Sequence, residues 1–95
     1  MVYTTKSGKK LYPVCSWEQN QHKLYNALDR INNAIYDAEE GDVTVDEWNK
    51  LLDRKEEIED ALSAFDSHVI DGIVYATWEM GQKIKDIVWA YNARH

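Results

Sequence analysis

The sequence predicts a mainly α-helical single domain. A short N-terminal β-hairpin is followed by an antiparallel helical hairpin and a C-terminal aromatic-rich helix, packed like a three-helix bundle and assembling with copies of itself. Three observations predict this. Two capping boxes, Ser16 with Gln19 and Thr44 with Glu47, each open a segment whose apolar residues recur at alternating spacings of three and four; that is the period of a helix seam and not of a strand. The chain contains one proline and four glycines in 95 residues, so little interrupts those segments. A content of 44% hydrophobic residues with four Trp and six Tyr is too apolar for disorder, and the length is far below the ~200 residues at which chains divide into domains.

Each element follows in order. Residues 1–15 form a hairpin and basic arm: "VYTTKSGKKLYPV" places β-branched and aromatic residues on both sides of a Lys-Ser-Gly-Lys turn. Pro13, which lacks an amide donor, marks its second strand as short or as an edge strand. Helix 1 covers residues 16–40 with the seam Trp17, Gln21, Leu24, Leu28, Ile31, Ile35 and Ala38, and Gly41 ends it in the left-handed conformation. Helix 2 covers residues 45–66 with the seam Trp48, Leu51, Lys55, Ile58, Leu62, Phe65 and Val69, the lysine amine reaching out to water. The short loop between the seams makes the two helices antiparallel. Asp66, Ser67 and Asp71-Gly72 predict a bend or turn over residues 66–72, with one continuous helix as the alternative, and helix 3 covers residues 73–92. At ~100° per residue its core side carries Ile73, Ala76, Met80, Ile84, Ile87 and Tyr91. Val74, Trp78 and Trp89 lie nearly opposite, with Tyr75 at the flank and Gln82 and Lys85 between the indoles. A helix wet on one side does not need a second apolar stripe, so this one is covered by the hairpin, by another subunit or by a ligand.

Charge excludes some functions and points to others. The net charge is −6. Lys6, Lys9 and Lys10 stand in the first fifteen residues without an acid, whereas residues 37–60 hold eleven carboxylates against Lys50, Arg54 and Lys55. Direct DNA binding is not expected, because a phosphate backbone needs a broad basic footprint. No apolar run approaches the ~18 residues of a membrane span, and the single thiol, Cys15, fits a reducing, cytoplasmic setting. On helix 2, Asp46, Asp53, Glu57 and Asp60 share one stripe. Such a face imitates DNA phosphates and fits a basic host protein that handles nucleic acid; the plainer reading is a solvated surface.

No motif of catalysis or of cofactor binding is present, and neither an enzyme nor a cofactor is expected. "DAEEGDVTVDEW" resembles half a calcium loop, yet aligning Gly41 and Glu47 puts Tyr36 and Ala38 where oxygen ligands belong. His22, His68 and His95 lack metal-ligand spacing, and Cys15 has no base assigned to it by sequence. The composition of a small, acidic, motif-free chain predicts a non-enzymatic accessory protein of a phage or mobile element that blocks host machinery through the acidic face. The alternative is an oligomer that sequesters a nucleotide-like ligand with Val74, Tyr75, Trp78, Gln82, Lys85, Trp89 and Arg94, the indoles stacking a base and the cations meeting phosphate. A structural or regulatory subunit of a larger complex is the second alternative.

Overall fold

The computed structural model describes residues 2–94, so His95 lies outside the described residues. In chain order the elements are β1 (Tyr3–Thr4), β2 (Lys10–Ser16), α1 (Trp17–Glu40), α2 (Val45–Ser67), β3 (Val69–Ile70), β4 (Ile73–Ala76) and α3 (Trp78–Arg94). Four antiparallel strands form one sheet in the order β1-β2-β4-β3.

Ser16 and Thr44 cap the starts of α1 and α2 as expected. Ser16 Oγ accepts from the Gln19 amide at 3.4 Å, and Thr44 Oγ1 accepts from the Glu47 amide at 3.2 Å. The two seams then meet, burying Leu24 and Ile31 of α1 with Ile58, Leu62 and Phe65 of α2 in one cluster; Ala38 is also buried and Lys55 is half-buried. Gly41 ends α1 differently from the expectation. Its φ and ψ of −111° and 175° are extended, and its amide reaches the Ala38 carbonyl at 3.3 Å. No left-handed residue is needed, because the chain leaves α1 straight into the Thr44 cap.

The largest correction falls on residues 69–76, expected as a bend and the first turn of a helix. They form the hairpin β3–β4, closed by Asp71 at φ 53° and Gly72 at φ 77°, two left-handed residues in the middle of a two-residue turn. That is the backbone an Asp-Gly pair favours between β-branched runs, because its twist matches that of the strands. Helix α3 therefore starts only at Trp78, with Thr77 Oγ1 accepting from the Met80 amide at 3.4 Å. Gly72→Val should cost about 1–2 kcal/mol, the penalty of a left-handed L-residue, seen as a lower urea midpoint; an unchanged midpoint would show that the turn does not depend on this residue.

Pro13 also departs from the expectation. It stands in the seven-residue central strand β2, where a missing amide is tolerated because the ladder shifts register between Pro13 and Cys15. Residues opposite each other share a sheet face, so Tyr12, Ala76 and Val74 point one way and Tyr3, Leu11, Pro13 and Tyr75 the other. Val74 and Ala76 enter the core with Leu24, Ile58, Ala61, Phe65, Ile84 and Ile87, so the helices cover the Tyr12 face. On the other face the Tyr3 ring stands edge-on against Tyr75 at 4.8 Å. Trp17 fastens three elements together: its amide donates to the Gly72 carbonyl and its Nε1 to Asp66 Oδ1, both at 2.9 Å.

The molecule is long, 48 × 30 × 17 Å, with a Cα radius of gyration of 15.1 Å, against ~12 Å for a compact chain of this size. Tyr36, Val43, Val45 and Leu52, near the loop joining α1 to α2, remain exposed. The well-packed end is therefore the one near the sheet, where α3 lies over both long helices.

Candidate anion-binding groove

Where the three helices run side by side, small side chains leave a gap. Ala27 and Ala34 of α1 and Ala90 of α3, with Ile31, Ile58 and Ile87, line a groove of about 250 Å³. Its remaining residues are polar: Lys23, Asn26 and Arg30 from α1, Arg54 from α2, and Tyr91 and Arg94 from α3. Helix periodicity explains the convergence. Lys23, Asn26/Ala27, Arg30 and Ala34 recur at three and four along one flank of the α1 seam, while Ile87, Ala90, Tyr91 and Arg94 do the same on α3.

The charge of this groove is unusual for the chain. Four of the eleven Lys and Arg residues line it, and no carboxylate is among the lining residues, although the protein as a whole is acidic. Cations gathered at one concavity repel each other, and low-dielectric walls focus their field on what enters. Among the described residues the only ion pair is Arg54 Nη1 to Glu57 Oε2, 3.2 Å long and exposed; a pair of this kind contributes under ~1 kcal/mol and yields readily to a better anion. Lys23 Nζ lies 5.9 Å from the centre of the Tyr91 ring, and the His22 ring meets Tyr91 edge-on at 5.4 Å. Guanidinium groups offer paired donors that match the oxygens of a phosphate. The lining contains no serine, cysteine, histidine or carboxylate, so its chemistry is that of binding.

Beside the groove, and sharing Asn26 and Tyr91 with it, lies a second, more open depression of about 480 Å³, lined also by Glu18, Gln21, His22, Tyr25 and Asp29.

The residues predicted from sequence are only partly brought together. Asp46, Asp53, Glu57 and Asp60 are all exposed on α2. Three of them, with Glu56, surround a depression of about 320 Å³ that Lys83 of α3 enters from the other side; Asp46 stands apart in the first turn. Trp78, Gln82, Lys85 and Trp89 are exposed and share one side of α3. Val74 and Tyr75 do not belong with them. Both are buried in β4, because the helix on which they were placed begins only at Trp78. Arg94 is exposed but lies ~160° around α3 from Trp78 at ~100° per residue, and it lines the groove instead.

Strand β2 covers part of the tryptophan face. Tyr12 stands edge-on to Trp78 at 5.9 Å, and a Cβ on Gly81 would come within 3.3 Å of Val14, so α3 crosses the strand closely there. Trp78 and Trp89 are nonetheless 64% and 77% exposed. Between Trp89, Lys85 and β2 lies a largely apolar cleft of about 260 Å³ that also takes in Val14, Cys15, Val88 and Asn92. Burial pushes the Cys15 thiol above its ordinary value despite the opposing pull of Lys23 and Lys85, which keeps it protonated and a poor nucleophile.

Sequence reasoning missed Lys23, Arg30 and Arg54. The available signal was the flank of the α1 seam, where cations alternate with alanines, but their meeting with Arg54 and Arg94 depends on how three helices pack. Among the described residues no group of three or more His, Cys, Asp or Glu could hold a metal ion, and no helix is long and apolar enough to cross a membrane. In comparisons with known proteins, no family model, curated protein or solved structure matches the chain.

Proposed function

We propose that the protein is a non-enzymatic binding protein that captures a small phosphate-bearing anion in the groove between α1, α2 and α3. One observation carries this reading: four cations from three different helices line a concavity without a carboxylate, in a chain of net charge −6. The reading in which Asp46, Asp53, Glu57 and Asp60 engage a basic partner protein rests on charge alone, and Arg54 and Lys83 already answer part of that charge. The groove has charge together with shape. Of the ligand residues expected from helix 3, only Arg94 lines this groove.

A thermal-shift series tests the proposal. Inorganic phosphate, pyrophosphate and tripolyphosphate should raise the melting temperature in that order, and the shift should shrink as salt screens the groove. No shift with any of the three contradicts it.

Self-association is proposed as a separate property of the tryptophan face, because two indoles this exposed on one helix side are costly to leave in water. Light scattering should give a mass above that of one chain, and Trp89→Glu should return it to the monomer. A monomeric wild type sinks the idea.

A further inference from the structure

We infer that the anion taken up by the groove is the phosphate end of a nucleotide, whose base and ribose occupy the adjoining depression beyond Asn26 and Tyr91. This rests on the reading of the basic groove as an anion site and adds the identity of the ligand.

The two concavities adjoin, with Asn26 and Tyr91 lining both. Their chemistry is opposite. The first has four cations and no carboxylate. The second has the carboxylates of Glu18 and Asp29, the rings of His22, Tyr25 and Tyr91, and neither lysine nor arginine. Charge therefore sorts any ligand that spans both: its anionic end is held at Arg30, Arg54 and Arg94 and repelled from Glu18 and Asp29. The other end must be flat, to lie against rings, and rich in hydrogen-bond donors, to satisfy two carboxylates and an amide.

A nucleotide meets each requirement. Its phosphates carry the charge, its ribose hydroxyls and exocyclic amine donate to carboxylates, and its base offers a face to aromatic side chains. Bare polyphosphates and sugar phosphates have the first property and lack the last. The span also fits, because His22 and Arg30 lie eight residues apart on α1, ~12 Å at 1.5 Å per residue, the reach of a base, ribose and diphosphate laid along one helix. Tyr25 is exposed, so its ring is available without disturbing the core. Asn26, at the junction, offers both a donor and an acceptor where ribose meets phosphate.

The experiment is isothermal titration of the full chain with ADP and, separately, with inorganic pyrophosphate. ADP should bind at least about tenfold more tightly, which is the contribution of one base–aromatic contact. Tyr25→Ala should remove most of that advantage while leaving pyrophosphate affinity unchanged, and Tyr25→Phe should keep it. If pyrophosphate binds as well as ADP, or if Tyr25→Ala leaves ADP affinity intact, the nucleotide assignment is overturned and the anion site stands. Binding of neither ligand overturns both.

Discussion

Replacing Arg30 and Arg94 together by glutamate should weaken pyrophosphate binding by at least about 100-fold. Hydrogen bonds to a charged group contribute ~1.5–3 kcal/mol each, and the reversal sets two negative charges beside Lys23 and Arg54, lowering the field that draws the anion in. Both side chains are exposed and neither pairs with a described carboxylate. The variant should therefore fold as the wild type does, with an unchanged circular dichroism spectrum and a similar midpoint in urea. Affinity measured by titration at low ionic strength decides the matter. A change of threefold or less would mean that the anion does not sit between α1 and α3.

The second large effect is on stability. Phe65→Ala should cost about 3–5 kcal/mol, the usual range for removing a buried aromatic ring. Phe65 has no exposed surface and sits in the cluster that joins α1, α2, α3 and β4 through Leu24, Ile58, Val74 and Ile84. Set against the ~5–15 kcal/mol stability of a domain, this is enough to leave the variant marginal at 25 °C. Leu52→Ala, at a side chain 41% exposed near the far end of the helical pair, should cost under ~0.5 kcal/mol. Urea denaturation of the pair measures both, and similar losses in the two variants would mean that the core is not centred near the sheet.

How far the sequence can be read differs from element to element. The starts of α1 and α2 are local chemistry: a hydroxyl, an amide three residues on and a seam with helical period, all visible without the fold. The β3–β4 hairpin was also encoded locally, in Val69-Ile70-Asp71-Gly72-Ile73-Val74. It was hidden because those apolar residues also suit a helix, and short apolar runs do not separate the two periods. Pro13 shows the opposite case. A proline argues for an edge strand until a neighbouring register shift removes the need for its amide, and only strand pairing discloses that shift. The groove was the least legible feature. Arg54 is an ordinary member of an acidic helix in sequence, and it becomes part of a cationic site only because α2 turns that side chain toward Lys23, Arg30 and Arg94.

The measurement that bears most directly on the anion site is a ¹H–¹⁵N titration of the wild-type protein with inorganic pyrophosphate, following the arginine Nε–H signals together with the backbone amides. Saturable shifts are expected at Arg30, Arg54 and Arg94 and at the amides around Lys23 and Tyr91, with the β1–β2 hairpin carrying Lys6, Lys9 and Lys10 unaffected. Shifts confined to that hairpin, or none at all, would contradict the anion site.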